Sequence, residues 1–273
     1  SSGSYLRCAV LTLQDGSALV IGPTATVRSY SSLHPAVAGL TDEKALVCWN
    51  DNSNSRGTCS VLSISSNGTI TPAPSMYNFY TSSLYTGYHS VSLATLDGEH
   101  GVVCWEPTNY YVQCSVLEVA AGSTTISYGS ASQQSDSYQG YVHALAAFDS
   151  SSAVLCYKAY SNGYGRCCVV TVSGSSLSYG SSLTFYSGTV GYNRPGQSWV
   201  SALSELSAIV CIQANSHSYQ TRCTLLLRES STSTSLVAGG TTDVNSQYGY
   251  DPSVSALGTY AALVCYSDWS AAT

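Results

Sequence analysis

The sequence predicts an all-β chain: a five-bladed β-propeller with four antiparallel strands per blade, its ring closed between the N- and C-terminal segments. Three observations carry that expectation. First, one cysteine word recurs: ALVCWN, GVVCWE, AVLCYK, AIVCIQ and ALVCYS place Cys48, Cys104, Cys156, Cys211 and Cys265 at steps of 56, 52, 55 and 54 residues. Second, each of the first four is followed 10 to 12 residues later by another word: TCSVLSI, QCSVLEV, RCCVVTV or RCTLLLR. Third, the word missing after Cys265 stands at the opposite terminus as RCAVLTL, with Cys8.

Each repeat then resolves into four elements. A V-x-x-L-like word precedes every cysteine strand: Val37 to Leu40, Val91 to Ala94, Val142 to Leu145, Val200 to Leu203 and Val254 to Leu257. The two cysteine words form the second and third strands. A small turn (Asp15-Gly16-Ser17, Asn67-Gly68-Thr69, Gly122-Ser123, Gly174-Ser175) leads to a fourth apolar stretch. A unit of about 55 residues has too little core alone and must stack on its neighbours. Residues 1–273 are therefore expected to be a single domain of five repeats, the last blade completed by the N-terminal strands. The rival is a β-solenoid, which would cap its ends with atypical repeats, whereas these ends complement each other.

Ten of the 11 cysteines fall into pairs flanking a hairpin loop: Cys48 with Cys59, Cys104 with Cys114, Cys156 with Cys167, Cys211 with Cys223, and Cys265 with Cys8. Directly opposed residues of an antiparallel pair lie within disulfide reach, so five disulfides are expected, the fifth fastening the termini. Buried free thiols are the alternative reading. Zinc is disfavoured because no C-x-x-C and no recurring His accompanies the pairs. Cys168 is left over and points opposite to Cys167. Disulfides imply an oxidising compartment, and hence an extracellular or secreted protein.

Composition excludes several classes. Charged residues make up 9% of the chain and the net charge is −6, so phosphate-backbone binding to nucleic acid is not expected. An apolar content of 44% is too high for disorder, and no apolar run reaches the ~20 residues of a membrane span. The chain opens on Ser without an initiator Met, which reads as a mature chain or an excised domain. One glycosylation sequon occurs, Asn67-Gly68-Thr69.

The candidate binding surface is one face of the ring. The turns between first and second strands are minimal, whereas the opposite face carries long segments such as Pro72–His89, Gly129–Tyr141, Ser181–Trp199 and Gly240–Ser253, where most of the 22 tyrosines are expected. Tyr with Ser, Gly and Asn is a contact-surface composition, and Tyr and Trp rings stack on apolar sugar faces. The residues singled out for binding are Tyr30, His34, Tyr88, His89, Tyr141, Trp199, Tyr250 and Asp251, near the entrances of the first strands. Aromatics after the cysteine (Trp49, Trp105, Tyr157, Tyr266) read as packing between blades. Their polar followers Asn50, Asp51, Glu106, Lys158 and Asp268 are placed at the rim.

Catalysis is not expected. Glycosidase chemistry needs two converging carboxylates, and of 15 acids only Asp251 falls at a first-strand entrance. Neither G-x-S-x-G nor H-E-x-x-H occurs. His143 reads as a core histidine. No cofactor and no metal site is expected.

ALVCYSD, and AVLCYKAYSNGYGRC followed by VVTVSGSSLSYGSSLTF, resemble a class of secreted propeller repeats of algae, other protists and some bacteria, of the form A-x-V-C-Y-x-D and then G-x-C-x-V-L. The resemblance spans all five repeats and marks strands and turns rather than chemistry. It implies a secreted propeller. The architecture is also similar to tachylectin-type five-bladed lectins, by fold and without their signature residues. The functional expectation is a secreted, non-catalytic, lectin-like carbohydrate-binding module. The alternative is a structural subunit of an extracellular or cell-surface assembly, contacting proteins and joining a larger complex; low charge and abundant Ser support it.

Overall fold

The computed structural model describes residues 5–14, 18–81, 91–107, 111–134, 140–159, 161–191, 199–215, 219–245 and 249–268. Among these there is no α-helix; the architecture is all-β. Four antiparallel sheets follow one another along the chain. The first comprises Ser32–Thr41, Lys44–Asp51, Arg56–Ile64 and Ile70–Pro72, with Tyr77–Tyr80 added to the third strand. The second comprises Ser92–Thr95, His100–Trp105, Gln113–Val119 and Ile126–Tyr128, with Ser132–Gln133 added likewise. The third comprises Gly140–Asp149, Ser152–Ala159, Gly165–Ser173 and Ser176–Tyr179, with Leu183–Tyr186 added. The fourth comprises Val200–Ser204, Ser207–Ala214, Gln220–Leu227 and Val237–Asp243. A hairpin, Gly249–Gly258 with Ala261–Asp268, ends the described chain. At the other end Leu6–Cys8 pairs with Ala25–Arg28, and Leu11–Gln14 with Ala18–Ile21.

The second strands are covered on both faces, which is why their words run apolar without alternation. Ser152–Ala159 is buried along its whole length. Facing follows a rule set by the two-residue period of a strand. The residue two before the cysteine, and the cysteine itself, face the next sheet: Leu46 and Cys48 join the cluster shared with the second sheet. Val102 and Cys104 likewise join the cluster shared with the third sheet, and Val154 and Cys156 that shared with the fourth. The residues on either side of the cysteine face the previous sheet, as Val103 with Trp105 and Leu155 with Tyr157 do. The core is thus a series of sheet-on-sheet junctions rather than one central mass.

Four cysteine pairs stand directly opposite one another and are bonded: Cys48–Cys59, Cys104–Cys114, Cys156–Cys167 and Cys211–Cys223. The fifth expected pair is not bonded in this structure. Cys8 and Cys265 are free thiols, because Leu6–Cys8 and Ala261–Asp268 lie in separate sheets and are not hydrogen-bonded to each other. A disulfide needs its two Cα atoms within ~7 Å, which neighbouring strands supply. For the same reason the described strands at the two ends do not join into one sheet. Cys168 is fully buried in the junction of the second and third sheets, while Cys167 faces the fourth.

The tyrosine distribution also departs from the sequence reading. Tyr77, Tyr80 and Tyr186 lie on the outermost short strands rather than in loops, and Tyr186 is buried in the core. Arg228 ties the third and fourth sheets together. Its side chain is 2% exposed and donates to Ser152 Oγ (2.9 Å), Asp149 Oδ2 (3.3 Å) and the carbonyls of Ser233, Glu205 and Ser231, with its guanidinium over the Phe148 ring.

Candidate functional site

The second position after each cysteine lies where the second strand runs out toward the long loops. A residue there has the cysteine's own facing and enters the junction with the next sheet. Every such residue in the four complete sheets is polar and nearly fully buried: Asn50, Glu106, Lys158 and Gln213, between 1% and 3% exposed. The result is an amide, a carboxylate, an ammonium and an amide at one level of four successive junctions. Burial moves the Lys158 ammonium down to about 8, since the charged form loses its water. Both amide atoms of Asn50 are buried without a hydrogen-bond partner among the described residues. The expectation that these side chains lie at an open rim is corrected: all four are buried, as are the aromatics Trp49, Trp105 and Tyr157 of the same words, each at most 1% exposed. Phe79 and Tyr80 pack against Trp105 at 5.0 and 5.8 Å between ring centroids. The signal that finds Gln213 is its place in the repeat, Cys211 plus two; its word, AIVCIQ, carries no aromatic to draw attention to it.

The predicted binding residues fall into distinct groups. His34 and Asp251 are equivalent: each sits at a bulge in the first strand, at φ 52°, directly before a proline. His and Asp tolerate this left-handed backbone better than most side chains, and such strained positions cluster at functional sites. The repeated X-Pro two residues before the V-x-x-L word is the sequence signal for them. Tyr250 stacks on Tyr219 at 6.0 Å, and Tyr219 sits at φ 61° in the turn between the second and third strands of the fourth sheet. Tyr30 is 58% exposed with the Arg28 guanidinium 4.8 Å from its ring centroid, and Arg28 donates to the buried carboxylate of Asp51 at 2.8 Å. Tyr141 occupies a strand position opposite Lys158.

Trp199 is corrected. At 1% exposure it belongs to the apolar cluster between the third and fourth sheets, because it stands at the start of a first strand facing inward. Tyr88 and His89 lie outside the described residues. His143 is buried, with Nδ1 at 2.7 Å from Ser92 Oγ across the junction of the second and third sheets. Asp243, within the long segment Gly240–Ser253, ends a strand and forms a bidentate pair with Arg222 at 2.7 and 2.9 Å. No cluster of His, Cys, Asp and Glu able to hold a metal ion occurs among the described residues. Nor is any helix there long and apolar enough to cross a membrane.

No family model matches the sequence, and no curated protein matches it. Solved structures of the same shape do exist. A Bacteroides uniformis protein assigned as a 6-phosphogluconolactonase matches at a TM-score of 0.62 and 10% identity, over 99% of this chain and 76% of that one. A Bacteroides fragilis protein with the same assignment matches at 0.57 and 10% identity, over 86% of this chain; the match spans 64% of its own length. The Aleuria aurantia lectin, as a mutant in complex with alpha-methyl-L-fucoside, matches at 0.50 and 14% identity, over 87% of this chain and 72% of that one. These likenesses show a propeller-like fold.

They also overturn the expectation that the chain is not an enzyme. That exclusion rested on the paired carboxylates of glycosidic cleavage. Proteins assigned to lactone chemistry carry the same shape, and opening an ester carbonyl asks only for one positioned base and an oxyanion stabiliser. The four disulfides place the chain's maturation in an oxidising compartment.

Proposed function

We propose that this protein recognises carbohydrate at the face where the second strands end, outside the cell. One observation carries the reading: near that end of the second strands aromatic rings meet polar groups, Tyr30 lying 58% exposed with the Arg28 guanidinium 4.8 Å from its ring centroid, and Tyr219 stacking on Tyr250. Sugar recognition asks for that combination, with donors and acceptors for hydroxyls and aromatic surface for the ring face. The exposed ring of Tyr30 and the Tyr219–Tyr250 stack supply aromatic surface on the loops and strand ends. The shape shared with a lectin adds support at the level of fold.

The experiment is a glycan and polysaccharide array on the oxidised protein, with 6-phosphogluconolactone included in a parallel hydrolysis assay. Specific binding that falls at least about tenfold in Tyr250→Ala or Tyr30→Ala, with unchanged melting, supports the proposal and locates the face. An array without binding, or binding indifferent to both substitutions, overturns it. Turnover of the lactone that exceeds the buffer rate would make the sugar derivative a substrate rather than a ligand.

A further inference from the structure

The two ends of the chain carry the two halves of one missing sheet, already docked on opposite sides of a gap. The terminal hairpin repeats the inner half: Ser253 stands opposite Cys265 as Ala36 does Cys48, Ser92 does Cys104 and Ala144 does Cys156. Its Val254, Ala262 and Val264 pack on the fourth sheet, with the facing found in every other sheet. The N-terminal strands repeat the outer half. Cys8 stands opposite Ala25, as Cys59 does Tyr77, Cys114 does Ser132 and Cys167 does Leu183. Five residues past the cysteine, Leu13 stands opposite Leu19 as Ile64 does Ile70. Leu6, Cys8 and Val10 pack on the first sheet, the sheet this half would precede.

What is uncovered is the junction between them. At the position two before the cysteine, Leu46, Val102 and Val154 are 0% exposed, while Leu263 is 53% exposed and Cys265 beside it is open. Eleven before the cysteine, Leu93, Leu145, Val200 and Val254 are 2–9% exposed, while Val37 is 65% exposed. Val37 lines a 450 Å³ apolar cleft with Leu6, Cys8, Val10, Val47 and Leu62. The facing rule sends Leu263 and Cys265 toward a following sheet and Val37 toward a preceding one. The first sheet and the hairpin are each other's missing neighbour.

We infer that the outer edge of Ala261–Asp268 pairs with this chain's own Leu6–Gln14, with Cys265 opposite Cys8, and that a disulfide between them seals the joined sheet. In the sealing step the two thiols lose two protons and two electrons, the S–S bond forms, and a small-molecule disulfide such as oxidised glutathione is reduced to two thiols. The chain's own segment is favoured over that of a second copy because both half-sheets already rest on one molecule. Exchange between copies would leave an open edge and an uncovered cleft at each end of an unclosed series. The inference needs no ligand and stands apart from the carbohydrate proposal.

The test is peptide mapping of the monomer after equilibration in a glutathione redox buffer, with free thiols blocked by iodoacetamide. The expected result is a linked pair of peptides carrying Cys8 and Cys265, with Cys168 in no disulfide. Amide exchange across Ala261–Asp268 should slow to that of Lys44–Asp51. In Cys8→Ser the same amides remain slowed if strand pairing, not the bond alone, joins the halves. Alkylation of both Cys8 and Cys265 in monomers holding the other four bonds overturns the inference. So does a Cys8–Cys265 bond found only between chains of a dimer.

Discussion

The third sheet and the terminal hairpin are written in nearly the same letters, AVLCYK against ALVCYS, yet one strand is buried throughout and the other exposes alternate residues. The difference lies in what stands on each side. Ser152–Ala159 has a paired strand on both edges and a packed sheet on both faces, whereas Ala261–Asp268 has one paired edge and one packed face. An apolar word becomes core only when the next copy of itself arrives. In a repeat architecture the stability of a unit is therefore a property of its junctions.

The sharpest way to break this comparison is to cut a complete junction at its polar tie. Arg228 spans the third and fourth sheets, its side chain 2% exposed, paired with Asp149 and hydrogen-bonded to Ser152. Burial works against the Asp149 carboxylate, but hydrogen bonds from Ser152 and Ser151 and the Arg228 charge hold it below its ordinary value. Arg228→Met, which leaves that carboxylate without its cation, should lose about 3–5 kcal/mol in urea denaturation. Stability carried by Asp149 is present above the ordinary carboxylate range and drains as pH falls through its lowered value. The variant should therefore lose less on acidification than the parent. A loss under 1 kcal/mol would mean that the junction is held by its apolar surfaces alone.

Apolar truncation compares the two regions directly. Leu155→Ala in the third sheet should cost about 2–5 kcal/mol, because a fully buried side chain leaves a cavity. Leu263→Ala in the hairpin of the reduced protein should cost less than about 0.5 kcal/mol, the usual range for surface substitutions. Equal losses would show that Leu263 is covered in solution even before oxidation. The disulfides extend the series. Replacing Cys156 and Cys167 by Ala should remove about 3 kcal/mol for a loop closed over a separation of 11 residues. Replacing Cys8 alone should change the reduced protein's urea midpoint little.

Much of this order was legible from spacing. The cysteine words gave the second and third strands and four opposed pairs, because directly facing residues need only a hairpin to meet. The short strand added at Tyr77–Tyr80 was not legible: it continues the third strand's outer edge after a bend, and its residues carry no alternation that separates them from a loop. The site was read less well. Trp199 has the composition of a binding residue and the position of a core one, and only three-dimensional facing distinguishes them. Asn50, Glu106 and Lys158 are visibly polar in the sequence, and polarity alone points to a rim. Their burial comes from the sheet that packs on theirs, which no local pattern within one repeat reveals.

Lys158 offers the mildest and most selective probe of a closed junction. Its folded value is about 8 against 10.5 for the free side chain, with burial as the cause. Below pH 8 the lysine is charged in both states, so the destabilisation from burying it is fully present and constant. Between pH 8 and 10.5 the unfolded chain holds a proton that the folded chain has released, and the lysine's contribution improves with rising pH by at most about 1.4 kcal/mol per unit. Lys158→Met removes that titration while keeping the length of the side chain, and every other ionisable group is common to both proteins. The stability difference between variant and parent should hold steady below pH 8 and shift in the parent's favour toward pH 10.5. A difference independent of pH would mean that the ammonium keeps its water, and that the polar level of this junction opens to solvent as the terminal one does.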